Sequence, residues 1–294
     1  LNYNRIFAQV HNLSALVLFE GIDYNGNKFS ADRDNFLSPS IEQLYAGDNS
    51  TAKNDGSSSE NVRMSYVGRV NYSYMDRYML EATLRADASA RFSPSKRWGY
   101  FPSVSMAWRL SEEKFLKGVS FLDNLKLRAS YGQSGNDGEV NFQYLSGFKM
   151  RSQVGYLFGN TPMKGIYSSV IPNPNLSWEE IEIIGGGIDF SFLNRKIYGE
   201  ADVFYRKRTG IPTARDKSLP TTFGASLPKE NLNSLDNRGF ELLLGSVFNI
   251  GEFTFDVSGN IAWSRDKWIH KEEPEYTDPD EIRMTKESGN WTDR

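Results

Sequence analysis

Residues 75–109 read MDRYMLEATLRADASARFSPSKRWGYFPSVSMAWR. Taken alternately, Tyr78, Leu80, Ala82, Leu84 and Ala86 form one set, and Glu81, Thr83, Arg85 and Asp87 the other. Side chains on a strand alternate faces, so this pattern describes an extended strand with one apolar and one charged face. A break at Phe92–Lys96 carries Pro94, and the alternation then resumes. Trp98, Tyr100, Val104, Met106 and Trp108 share a face opposite Gly99, Ser103, Ser105 and Arg109. Each strand has about twelve residues, whereas soluble strands average about five or six. Aromatic residues sit near the ends of the apolar face: Tyr78 on one strand, Trp98 and Trp108 on the other. A strand crossing a bilayer in a barrel needs about 9–11 residues, apolar outside, polar inside, with aromatic girdles at both interfaces.

The same alternation recurs on both sides of this hairpin. Leu13, Ala15, Val17 and Phe19 form an apolar face, as do Met64, Tyr66, Val70, Tyr72 and Tyr74 against Arg63, Arg69 and Asn71. Leu125, Leu127, Ala129 and Tyr131 oppose Lys126 and Arg128. Ile184, Ile188, Phe190 and Phe192 lead through Leu193-Asn194-Arg195 to Ile197, Ala201, Val203 and Tyr205. A last hairpin covers 238–267, with a turn at 249–251. Short turns at 9–12, 75–77, 193–195 and 249–251 alternate with long connections at 23–60, 132–177, 209–237 and 268–294. A short strand is expected at 142–148 inside the second long connection. Bacterial outer-membrane barrels have short periplasmic turns and longer extracellular loops, and a β-sandwich has no reason to sort its connections so. The fold class is therefore all-β, an antiparallel transmembrane β-barrel of which about ten or eleven strands are present.

The bulk composition fits. Net charge is −3 and there are no cysteines. These values give no sign of a nucleic-acid partner and exclude a disulfide framework. Aromatics make up 14% of residues, which suits interfacial girdles. No apolar run reaches the ~20 residues of a membrane helix. The chain opens on Leu1 and ends within a polar stretch, so both ends read as cuts through a longer polypeptide.

Chemistry is sparse. His11 and His270 are the two histidines, and neither has partners spaced for zinc or a nucleophilic triad. The neighbouring pairs Glu112/Glu113 and Glu179/Glu180 point to opposite faces of an extended chain, so neither reads as a glycosidase pair. Asp23, Asn25 and Asn27 open a calcium-loop pattern, but Lys28 replaces the required glycine and Asp34 the closing glutamate. Gly185-Gly186-Gly187 lies in a strand pattern, where glycine marks a bend or close packing rather than a phosphate cradle. No cofactor or metal is expected, and the chain does not read as an enzyme. What remains is the inward face. Arg63, Arg69, Glu81, Arg85, Asp87, Lys126, Arg128, Asp189, Glu200, Asp202 and Asp256 all fall on it. They read chiefly as a hydrated wall of cross-strand ion pairs. Four aromatics in the long connections, Tyr45, Tyr156, Phe158 and Tyr167, are the candidate contacts for cargo or a lid.

The sequence also resembles a known family. YVGRVNYSYMDRYMLEATLRADASARFSPSKRWGYFPSVSMAWRLSEEKFL and LDNLKLRASYGQSGN, followed by NPNLSWEE, GIDFSFLNRKIYGEADVFYRKRTG, LPTTFGAS and NRGFELLLG, look like the barrel of SusC/RagA-like TonB-dependent transporters of Bacteroidetes outer membranes. The resemblance implies a barrel of about 22 strands closed by a plug. It implies uptake of oligosaccharides or peptides, a SusD-like surface lipoprotein as lid, and energy delivered through TonB. The plug, the TonB-binding segment and the terminal aromatic strand of that family have no counterpart here, so they are expected elsewhere in the native polypeptide or in another chain. Two alternatives stay open at this point: a passive porin-like or structural outer-membrane barrel, and a soluble β-sandwich binding module.

Overall fold

A computed structural model describes residues 1–293 except 139–141, 169, 217, 218, 221 and 223; for 151–154 it describes the backbone alone. Among the described residues, ten strands form one antiparallel sheet: β1 (Asn2–Phe7), β2 (His11–Asp32), β3 (Lys53–Tyr74), β4 (Tyr78–Ser89), β5 (Trp98–Arg109), β6 (Leu122–Asn136), β9 (Glu179–Phe192), β10 (Ile197–Ala214), β11 (Lys229–Ile250) and β12 (Phe253–His270). They pair in chain order, with β6 meeting β9 directly. The intervening β7 (Phe148–Phe158) and β8 (Thr161–Ser168) pair only with each other. This single up-and-down sheet is not the two facing layers of a sandwich.

The register fixes the faces. Tyr78, Leu80, Ala82, Leu84 and Ala86 stand opposite Trp108, Met106, Val104, Pro102 and Tyr100. The apolar set is therefore continuous across strands, and Leu84, Tyr100 and Met106 are exposed on it. Aromatic side chains concentrate in two belts. Near the short turns, Tyr72, Tyr74, Tyr78 and Trp108 lie side by side, and the Tyr74–Tyr78 and Tyr78–Trp108 rings stack at 6.3 and 6.2 Å. At the far end, Phe19, Tyr66 and Trp98 adjoin, with Tyr66–Trp98 at 6.1 Å, and Phe240 stacks on Trp263 at 6.0 Å. Trp98 and Trp108 are separated by about 33 Å along the strand at about 3.3 Å per residue. At a tilt of about 40° this is about 25 Å along the membrane normal, the height of an outer-membrane apolar band.

The short turns are tight. Met75 and Asp76 both adopt φ 53°, and the Arg77 amide donates to the Tyr74 carbonyl at 3.0 Å. Two consecutive positive-φ residues give the turn whose twist matches a hairpin. Leu193, Asn194 and Arg195 turn β9 into β10 at φ 57°, 57° and 64°. The longer β5–β6 connection on the same side begins with a single 3-10 turn (Leu110–Glu112).

The long connections are shorter than the sequence suggests. β2 and β3 pair without interruption from His11↔Tyr74 to Asp32↔Lys53, which reduces the expected loop 23–60 to 33–52. Asp23, Asn25 and Asn27 are thus strand residues, and the calcium-loop reading falls with the loop. Likewise β10 and β11 extend to Ala214 and from Lys229, so 215–228 replaces the expected 209–237. Of the expected 132–177, residues up to Asn136 belong to β6, and the strand expected at 142–148 is instead the β7–β8 hairpin beginning at Phe148. The expected tail 268–294 begins as β12 and contains α1 (Pro279–Thr285); residues 289–292 then return along β12, where the Trp268 amide donates to the Asn290 carbonyl at 3.0 Å. One cause underlies these differences. Above the bilayer both strand faces meet water, so paired strands there need no apolar alternation.

Candidate lumen-facing site

The inward face is built by register. Glu81, Ser105, Ser130, Gly185 and Phe204 lie in one row across β4, β5, β6, β9 and β10. One step toward the short turns, Ala107, Arg128, Gly187, Asp202 and Glu241 form the next row. Arg128 donates through Nε to Asp189 Oδ1 at 2.7 Å and through Nη2 to Asp202 Oδ2 at 2.9 Å. Lys126 Nζ approaches the other Asp189 oxygen at 3.3 Å. Gly187 makes room for this bridge, since an added Cβ would run into the Asp202 carboxylate and lie 3.0 Å from Arg128 Nη2. The central glycine run of the sequence thus serves close packing of charge.

Nearer the long connections, Arg85 Nε donates to both oxygens of Asp87 at 2.8 and 2.7 Å, and Nη2 donates to Ser65 at 3.1 Å. Glu20 lies 3.8 Å from the same guanidinium. Arg69 donates to Thr83 at 3.2 Å and lies 3.9 Å from Glu81. Arg63 meets Asp137 at 2.5 Å. Asp256 accepts from the Tyr198 hydroxyl at 2.6 Å. All seven inward charges from Arg63 to Arg128 are therefore engaged, Arg69, Glu81, Arg85, Lys126 and Arg128 across strands, Asp87 with Arg85 on its own strand, and Arg63 with Asp137 just beyond β6. Such half-exposed pairs are each worth little, about 0–1 kcal/mol, but a connected row of them sets register and holds a polar wall.

A small buried knot that the sequence reading missed closes the wide end of this wall. Asp137 is 4% exposed. It takes the Ser89 hydroxyl at 2.9 Å and lies 3.8 Å from Arg91, besides its pair with Arg63. Arg91 also donates to the Gly138 carbonyl. Beside it, Phe92 and Leu176 are buried and Trp178 packs on Phe92 and Phe101, at 5.3 and 5.5 Å between ring centres. The Trp178 indole donates to the Arg97 carbonyl at 3.0 Å, and Ser93 donates to that of Pro174 at 2.7 Å. Phe101 points inward over two glycines; an added Cβ at Gly135 would fall inside its ring, and one at Gly99 would lie 2.5 Å from it. The knot grips both ends of the 137–178 connection, which carries the β7–β8 hairpin. Arg208 joins it through Glu179, whose side chain is 3% exposed, at 2.6 Å. The only sequence signal was the Trp in NPNLSWEE; the hydrogen-bonded partners lie 29 to 81 positions apart and are brought together by register.

The four candidate contact aromatics are placed as follows. Tyr45 stands in a 3-10 turn (Leu44–Ala46) of the 33–52 connection and is 76% exposed. Tyr156 and Phe158 lie on β7 and Tyr167 on β8, so these three are strand residues and not loop residues as expected. Tyr156 and Phe158 are exposed, and register sets them opposite Met163 and Thr161.

Comparison with known proteins gives the wall its context. The family model for TonB dependent receptor-like β-barrels matches residues 2–292. The TonB-dependent receptor SusC of Bacteroides thetaiotaomicron is 36% identical over 241 residues, covering 80% of this chain and 23% of SusC. The TonB-dependent receptor P3 of Formosa agariphila is 29% identical over 275 residues, covering 92% of this chain and 26% of the receptor. Among solved structures, the RagAB peptide importer in its open-open state superposes with a TM-score of 0.80 at 24% identity, over 95% of this chain and 30% of that one. The chain thus spans about a quarter of the curated relatives it matches. Belts, alternation and family model agree: the strands are those of an outer-membrane barrel, and the chain belongs to the TonB dependent receptor-like β-barrel family.

Proposed function

We propose that the polypeptide carrying this chain imports oligosaccharides or peptides across the outer membrane, in the manner of SusC. In this reading a SusD-like lipoprotein covers the wide end, TonB supplies energy through a plug, and the barrel performs no covalent chemistry on its cargo. The observation that carries it is the pairing of an apolar band about 25 Å tall with a charged inner wall whose centre, Lys126, Arg128, Asp189 and Asp202, is ion-paired across strands. Such a wall is hydrated, and its charges of both signs are interspersed, so it presents no single-sign field to trap a cargo. Cargo and lid contacts are assigned to the wide end: Tyr45, Tyr156, Phe158 and Tyr167, whose rings suit stacking on sugars or packing on a peptide. The seven inward charges Arg63, Arg69, Glu81, Arg85, Asp87, Lys126 and Arg128 serve the wall.

The test is uptake in cells carrying the full-length polypeptide, with fluorescent oligosaccharides and peptides compared and TonB intact or deleted. Energised uptake, co-purification of a surface lipoprotein, and loss of uptake in a Tyr45→Ala/Tyr156→Ala/Phe158→Ala variant are expected. Uptake indifferent to TonB would replace this reading with a passive barrel.

A further inference from the structure

The outward face carries one arrangement that barrel building does not require. Arg238 and Arg265 stand directly opposite each other on β11 and β12, one step above the stacked Phe240–Trp263 pair of the belt near the long connections. Like charges opposed on one face of a sheet are destabilising unless something is placed between them. Here the Trp291 ring lies against both, with the guanidinium carbons 4.3 and 4.5 Å from its centre, and Lys267 Nζ at 5.8 Å. Trp291 is held there because it bridges to Lys267 on the β12 edge. Two carboxylates are close. Asp293 accepts from Arg265 Nε at 2.7 Å, and Asp236, in register with Lys267, accepts the Tyr205 hydroxyl at 2.5 Å. Arg238, which is exposed, and Lys267 form no ion pair among the described residues.

The depth of this cage is informative. Two residues above the belt is about 7 Å along the strand, or about 5 Å along the normal, which is the level of lipid headgroups. The side is that of the long connections, the outer leaflet. Arginine forks match phosphate oxygens in pairs, and a basic cluster at headgroup depth is the chemistry that retains a phosphorylated lipid. We infer that Arg238, Arg265 and Lys267, ordered by Trp291, hold a phosphate of an outer-leaflet glycolipid headgroup against the barrel wall. The site is independent of cargo and lid, and rests on the outward orientation of β11 and β12.

The test uses the full-length protein extracted from outer membranes in mild detergent, with retained phosphoglycolipid counted per protein by mass spectrometry. Arg238→Gln/Arg265→Gln is compared with the inward control Arg69→Gln and with the charge-keeping Arg238→Lys/Arg265→Lys. Loss of two charge-assisted contacts predicts a fall of at least about a hundredfold in lipid affinity for the glutamine pair, with the inward control near wild type and the lysine pair, which keeps charge but not the fork, in between. A second measurement needs no variant: the wild type is incubated with vesicles containing bisphosphorylated lipid A or its enzymatically dephosphorylated form. Capture of the first alone is expected. Equal capture of both forms, undiminished retention by a folded glutamine pair, or displacement by millimolar inorganic phosphate would overturn the proposal; the last would make this a free-phosphate site.

Discussion

Substituting Leu84 by arginine tests the assignment of faces. Leu84 lies on β4 opposite Gly68 and Pro102, is 54% exposed, and belongs to the apolar set. Six residues separate it from Tyr78 in the belt near the short turns, about 20 Å along the strand and about 15 Å along the normal. In an apolar band about 25 Å tall this is close to the midplane, where an arginine on the lipid face costs about 2–4 kcal/mol. The inward control is Ser105→Arg. Ser105 sits in register between Glu81 and Ser130, so its new guanidinium faces water and a carboxylate. That change is expected to stay within about 0.5 kcal/mol. Both are read by urea unfolding of the full-length protein in lipid vesicles, followed by the folded band's gel mobility. A Leu84→Arg protein as stable as wild type, or a Ser105→Arg protein as unstable as Leu84→Arg, would show that the faces are reversed.

Gly135→Ala places a methyl inside the Phe101 ring and should cost about 1–3 kcal/mol in the same assay, with partial recovery when Phe101 is also reduced to leucine. Asp137→Asn removes the charge that Arg63 and Ser89 engage; because Arg63 is half-exposed, a loss of about 2 kcal/mol is expected, not the larger figure for a fully buried pair. Acidification should loosen the β5–β6 connection. Glu113 accepts the Tyr78 hydroxyl at 2.6 Å and the Trp108 indole at 3.1 Å, and with Arg77 nearby these hold its carboxyl below the ordinary range. A carboxylate with a lowered folded pKa stabilises fully above its unfolded value, about 4.3, and loses that contribution as pH falls through the folded value. Glu113→Gln should therefore narrow the stability difference between about pH 3 and about pH 6, and an unchanged acid response would remove Glu113 from the account.

The transmembrane part was legible because the bilayer writes the code. Between the belts every outward position must be apolar, so parity in 78–86 and 98–108 reads directly as face, and register then agrees pair by pair. Above the bilayer that pressure is gone. The run DNSTAKNDGSSSE looks like a linker, yet its second half is the start of β3, paired with β2 through Ser30↔Asp55 and Asn27↔Ser58. Backbone pairing continued there without the side-chain pattern that reports it. The β7–β8 hairpin escaped for the same reason.

The buried knot was hidden by a different cause. Ser89 and Asp137 are unremarkable in sequence, and Trp178, though it stands out in NPNLSWEE, shows no partner there. They meet because β4, β5, β6 and β9 end at the same height, which brings the 89–97 turn against both ends of the 137–178 connection. Register thus does at the wide end what parity does in the membrane. The inner wall combines both effects: parity chose which charges face inward, and register chose their partners. Arg128 has two carboxylates rather than one because Gly187, its direct neighbour on β9, leaves the space for Asp202 to reach across from β10. A side chain at 187 would break that bridge while leaving the alternation intact, so the ion-paired wall is a property of the glycine run as much as of the charges.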